Sequence, residues 1–169
     1  MNPEGDLLRL ARERETASEA ALGEMLVERP DILGRQFRDY LSRKLDQNRM
    51  RLADEGIPSL TTVSNGVSEL ACAQARFSSG ATLMFNIQLQ REQRGWRVLR
   101  FKFHLHLAPS RGVKMVRIHL NQASWHDPLA VPRCHLHVDS SLAHVPFPIM
   151  NPRLILHVLC EHIEPDFGT

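Results

Sequence analysis

The chain reads as an α+β protein, with N-terminal helices, an antiparallel meander sheet of about five strands and a C-terminal helix. Three observations predict it. Apolar residues recur at helical spacing as far as about residue 54, the period then shifts to two between Leu60 and Asp139, and short turns separate the alternating runs. A length of 169 residues suffices to bury about 68–70% of the unfolded surface in one core. The whole of 1–169 is therefore read as one domain, with a helical segment at 1–56, the sheet at 57–139, and a loop and helix at 140–169.

Residues 5–29 hold no proline and place Leu7, Leu10, Ala11, Ala17, Ala21, Met25 and Leu26 mostly at helical spacing. Thr16-Ala-Ser-Glu19 fits a capping box, which allows this stretch to be two helices. Pro30 ends it, because its ring clashes with the preceding turn and pushes Arg29 out of the helical region. Asp31 begins a second helix running to about residue 54, with Leu33, Phe37, Tyr40, Leu41, Leu45, Asn48 and Leu52 inward. Its outer face carries Arg35, Arg38, Arg43, Lys44, Arg49 and Arg51, offset by Asp39, Asp46 and Asp54. Such a face is ordinarily a solvated one with internal ion pairs, Asp39 and Arg43 among them, rather than a docking site for an acidic partner.

Asn65-Gly66 is a hairpin-turn signal. Residues 67–77 are a strand by their position between two turns. In 82–90, Leu83, Phe85, Ile87 and Leu89 alternate with Thr82, Asn86, Gln88 and Gln90. A polar loop at 91–95, a turn at Pro109–Gly112 and strands from Trp96 and Val113 continue the meander, whose short connections imply antiparallel neighbours. Residues 122–133, with Trp125, His126, Asp127, Pro128 and Pro132, are too irregular for a strand, as is the proline-bracketed stretch after Asp139. Asn151 and Pro152 are then a good N-cap and first position for a helix over 152–162, followed by a tail.

Composition excludes more than it identifies. A hydrophobic content of 43%, a charged content of 24% and a net charge of +2 suit a globular protein and give no general basic field for nucleic acid. Cys72, Cys134 and Cys160 match no metal-finger spacing and read as reduced thiols. The charged start lacks the apolar core of a signal peptide, and no apolar run is long enough to span a membrane, so a bacterial cytoplasmic protein is expected.

The distinctive feature is a face. Leu99, Phe101, Phe103, Leu105 and Leu107 alternate with Arg100, Lys102, His104 and His106. Val116, Ile118 and Leu120 alternate with Arg117 and His119, and Cys134, Leu136 and Val138 with His135, His137 and Asp139. If the three strands pair as neighbours, five histidines and three basic side chains share one sheet surface. Residues two apart on a strand point the same way, so His104 with His106, or His135 with His137, can supply two metal ligands. His119 or Asp139 from the next strand can supply a third, leaving the open position of a catalytic zinc.

Without metal, the same face could bind a phosphodiester between an acid and a base histidine. It could also present Arg100, Lys102, His104, His106, Arg117, His119, His135 and His137 to an acidic protein or nucleic acid. Ser140, Ser141, His144 and Cys160 stand in no nucleophile motif.

The strands His104-Leu-His-Leu107 and His135-Leu-His-Val138 resemble the paired strand motifs of the two-histidine phosphoesterases and of the histidine triad nucleotide hydrolases. The former carry Ser or Thr where His106 and His137 stand, and the latter a further alternating His where this chain has Ala108 or Asp139. Neither likeness assigns a role. The stretch 133–159 resembles uncharacterised small bacterial proteins with an HLHV strand, a proline-bracketed loop and a closing helix, which brings no activity with it. The expectation is a non-enzymatic binding or adaptor protein that meets an acidic partner through the histidine face, with no cofactor. The alternative is a histidine-based hydrolase of phosphoesters, with zinc held by His104, His106, His119, His135 and His137. Oligomeric state leaves no mark on this sequence.

Overall fold

The computed structural model describes residues 9–10, 13–14, 16–17, 20, 26–47, 56–108, 111–122, 131–141 and 143–163. Ser18 and Glu19 of the expected capping box, the end of the second helix, most of the irregular 122–133 loop and the C-terminal tail fall outside these residues.

An antiparallel sheet dominates the fold. Its path runs β2 (Ser59–Ser64), β3 (Val67–Arg76), β4 (Thr82–Glu92), β5 (Gly95–His106), β6 (Met115–Leu120), β7 (Cys134–Val138) and β8 (Val145–Pro146), each paired with the next. That is seven strands where about five were expected. Two sources account for the excess. Ser59–Ser64 pairs through the Asn65-Gly66 turn, whose positive φ values of 47° and 76° match the right-handed twist of a hairpin. Val145–Pro146, inside the proline-bracketed stretch, pairs with β7; proline is tolerated there because β8 is an edge strand with one side unpaired. In addition β1 (Leu26–Val27), within a segment expected to be helical, lies antiparallel to Arg97 and Trp96 on the part of β5 that β6 does not reach.

The α1 helix (Pro30–Gln47) and the short α2 helix (Pro152–Val158), which continues as a π-helical turn over Leu159–Ile163, cover one face of the sheet. Asn151 caps α2 as expected, its side-chain oxygen accepting from Arg153 N at 2.9 Å. Leu33, Phe37 and Leu41 of α1 are 0–1% exposed and meet Leu83, Phe85, Ile87, Phe101, Phe103 and Leu105 from the sheet. Phe37 stands edge-on to Phe85 at 5.2 Å, and Phe85 lies 5.5 Å from Phe103, so one aromatic column ties helix to sheet. Gly34 lets α1 lie close on the sheet, since a β-carbon there would lie 3.1 Å from Leu70 Cδ1. Arg43 does not pair with the Asp39 carboxylate; its Nε donates to the Asp39 carbonyl at 3.2 Å.

Alternation in β5 is broken once. Gln88 pairs with Arg100 and Leu89 with Val98, so Leu99 is the extra residue of a β-bulge. Below it the phase inverts, and Val98 rather than Leu99 is buried. Above it, Lys102, His104 and His106 alternate with the buried Phe101, Phe103 and Leu105. Among the described residues no helix is long and apolar enough to cross a membrane.

Candidate metal centre on the histidine face

The register of β5, β6 and β7 assembles the site. Lys102 lies opposite His119 and His119 opposite His135; in the next row His104 lies opposite Arg117 and Arg117 opposite His137. Directly paired residues project to one face, and β6 turns Val116, Ile118 and Leu120 to the core, so these side chains project together on the other face, where in β7 His135 and His137 are buried although Val138 is exposed. Ring centroids are 5.0 Å apart for His104 and His119, 5.3 Å from His119 to each of His135 and His137, and 4.8 Å between His135 and His137.

His119, His135 and His137 each offer a ligand nitrogen, and the three nitrogens lie within 4.8 Å of one another. Around a zinc ion with Zn–N bonds of about 2.0 Å the separations would be roughly 3.3 Å, so small side-chain rotations would close the trio on an ion. His106 lies one row further along β5 opposite Met115, outside this trio. His104 adjoins it, with Nε2 2.8 Å from His119 Nε2. Arg100, Lys102 and Arg117 share the face; Lys102 is exposed, Arg117 donates from Nη2 to the Asp139 carbonyl at 2.9 Å, and Nε of both arginines is buried without a hydrogen-bond partner.

Burial sets the protonation of the trio. His135 and His137 are only 2% and 6% exposed. Burial, with the neighbouring imidazoles adding to it, pushes His119 down to about 3 from 6.5. Burial takes His135 down to about 4, opposed by the hydrogen bond its ring donates to the Pro132 carbonyl. His137 and His104 are lowered as well, first by burial and then, for His104, by the Arg117 charge. Neutral imidazole is the form that coordinates metal.

The ring orientations suit that role. Carbonyl oxygens only accept, so His135 Nδ1–H donates to Pro132 O at 2.7 Å and His137 Nδ1–H to Ser141 O at 3.3 Å. Each therefore carries its lone pair on Nε2. Carbonyl anchors of this kind are the usual outer partners of metal-bound histidine. Between His104 and His119 one nitrogen donates and the other accepts; with His119 as donor, its Nδ1 holds the lone pair and His104 becomes its outer partner.

The sequence reading missed His144. Its ring lies 4.9 Å from that of His135 and 4.5 Å from that of His137. The signal was the return strand: Leu136 pairs with Val145, which sets position 144 beside 137 on the same face. Asp139, considered as a third ligand, lies outside the group of three and accepts at Oδ1 from the backbone N–H groups of Lys114 and Met115, tying the start of β6 to the end of β7. The thiols are core residues, with burial pushing Cys134 up to about 12 and Cys72 to about 11. No protein-family model, no curated protein and no solved structure matches this chain.

Proposed function

We propose that the protein is a metalloprotein that binds one divalent transition-metal ion through His119, His135 and His137. Zinc is the ion an all-imidazole set of three favours. The observation that carries this reading is the convergence of three neutral ligand nitrogens within 4.8 Å, two of them on rings anchored by backbone carbonyls. Three protein ligands leave a coordination position for water, and zinc lowers the pKa of that water toward about 7. Arg117 and Lys102 on the same face favour an anionic substrate, so the activity proposed for the loaded protein is phosphoester hydrolysis.

The test is metal content by mass spectrometry on untagged protein, with His119→Ala and His137→Ala beside it. The expected result is about one zinc per chain, lost in both variants, together with cleavage of bis(p-nitrophenyl) phosphate by the loaded protein. Zinc that survives both substitutions would place it elsewhere, and loaded protein without cleavage would leave a structural metal site.

A second reading, an adaptor surface for an acidic protein or nucleic acid, is favoured by the exposed Lys102 beside half-buried Arg100 and Arg117. On that reading Lys102, Arg100 and His106 meet the partner, while His135 and His137 are buried beneath it. Phosphate contacts are strongest at low salt, so absence of nucleic-acid binding there rejects its nucleic-acid form.

A further inference from the structure

The histidine face does not end at β5. Two cross-strand rows continue through it onto β4: Met84 lies opposite His104, then Arg117, then His137, and Asn86 lies opposite Lys102, then His119, then His135. Directly paired residues project to one face, so Met84 and Asn86 stand on the surface that carries the histidines. At this end of the rows opens a hollow of about 270 Å³.

A bulge in β3 makes it. Cys72 pairs with Phe85 and Ala75 with Leu83, so Ala73 and Gln74 together stand against Met84 alone, and the strand bends away there. Ala73 brings only a methyl group to the gap. Cys72 and Phe85 close the floor, while the surfaces a ligand can reach are the exposed Ala73 and Lys102 and the half-buried Met84, Asn86 and His104.

The chemistry of that lining is aromatic-seeking. A thioether and an imidazole both pack well on a flat ring, and Ala73 adds apolar surface without filling the space. The Asn86 amide and the Lys102 ammonium, opposite one another at the rim, make no hydrogen bond or ion pair with the described residues, so both are available to polar atoms on a ring's edge. No carboxylate lines the hollow. The hollow also adjoins the histidine trio, because His104 forms its wall and reaches His119 at 2.8 Å. From β4 to β6 is two strand spacings, roughly 10 Å.

We infer that this hollow is a subsite for a flat aromatic group and, resting on the hydrolase reading above, that it holds the alcohol part of the phosphoester whose phosphoryl group lies at the histidine trio. The separation selects the shape of that alcohol: a ring bonded directly to the ester oxygen stops over His104, whereas a ring on a short tether reaches Met84 and Ala73.

Two experiments test it. In the first, 2-(2-naphthyl)ethanol, the arm alone, is titrated into full-length, isotope-labelled protein without metal. Saturable amide shifts centred on 72–74 and 84–86 are expected, and they should be lost in Ala73→Leu, which fills the hollow from an exposed position. In the second, zinc-loaded protein is given two diesters with the same p-nitrophenolate leaving group and either a methyl or a 2-(2-naphthyl)ethyl second arm. Water adds to phosphorus and p-nitrophenolate departs in both, so only the arm differs. kcat/KM should be about tenfold or more higher for the naphthyl diester, carried by KM, and the ratio should fall toward one in Ala73→Leu. Absence of saturable shifts at about 10 mM naphthylethanol overturns the inference whether or not the protein is a hydrolase. Cleavage of both diesters with equal kcat/KM, or a preference that survives Ala73→Leu, also overturns it and leaves the hydrolase reading standing. The expected shifts with neither diester cleaved reject the hydrolase reading and uphold the hollow as an aromatic site.

Discussion

His104 and His119 face each other diagonally across the β5–β6 pair with their Nε2 atoms 2.8 Å apart, so one proton lies between two imidazoles. Neither ring is readily protonated there, since burial lowers both. The contact links the proposed ligand trio to the open side of the sheet, where Lys102 is exposed.

If His104 orients His119 from outside the coordination sphere, His104→Leu should weaken zinc binding by about 10- to 100-fold without abolishing it. Competition with a chelator of known affinity measures this. Unchanged affinity would remove His104 from the site.

His144 packs on His135 and His137 but lies outside the group of three. His144→Ala should therefore keep stoichiometric metal where His137→Ala loses it. In cobalt-substituted protein the visible spectrum reports the ligand set directly; a large change in His144→Ala would make it a fourth ligand and the site a closed, structural one.

Metal-free protein should lose stability as it is acidified. The unfolded chain takes up protons on these histidines below pH 6.5, whereas the folded chain resists until about 4 for His135 and about 3 for His119. In that window the unfolded state binds more protons, so stability is whole above 6.5 and declines from there toward 3. Urea midpoints between pH about 7 and about 4 test it. His119→Leu should flatten the decline, and an equally steep profile in that variant would count against the assignment.

In the core, Phe103 is fully buried between Phe85 at 5.5 Å and Phe101 at 5.7 Å. Phe103→Ala should cost about 3–5 kcal/mol by equilibrium unfolding. A loss under about 1 kcal/mol would mean that the column does not hold helix to sheet.

Gly34 offers a test of how closely α1 lies on the sheet. A β-carbon 3.1 Å from Leu70 Cδ1 must displace a methyl group that has little room, since Leu70 is fully buried. The gain in helix propensity of about 1 kcal/mol should leave Gly34→Ala near neutral, while the branched Gly34→Val should lose about 1–3 kcal/mol. A stabilised valine variant would refute the close approach.

The sequence by itself determined the α+β class, the antiparallel meander, the Asn65-Gly66 turn and the Asn151 cap. These follow from local rules, because a period of two or of 3.6 and the chemistry of turn residues act over a few positions. The Leu99 bulge, the short strands at Leu26–Val27 and Val145–Pro146, and the approach of His144 to His137 were decided only in the tertiary structure. A bulge is a mismatch between two strands and a two-residue strand exists only through its partner, so neither has a period of its own to read. Selection among the histidines has the same cause: five shared a face by parity, and cross-strand register with burial by the returning chain grouped His119, His135 and His137 and left His106 outside.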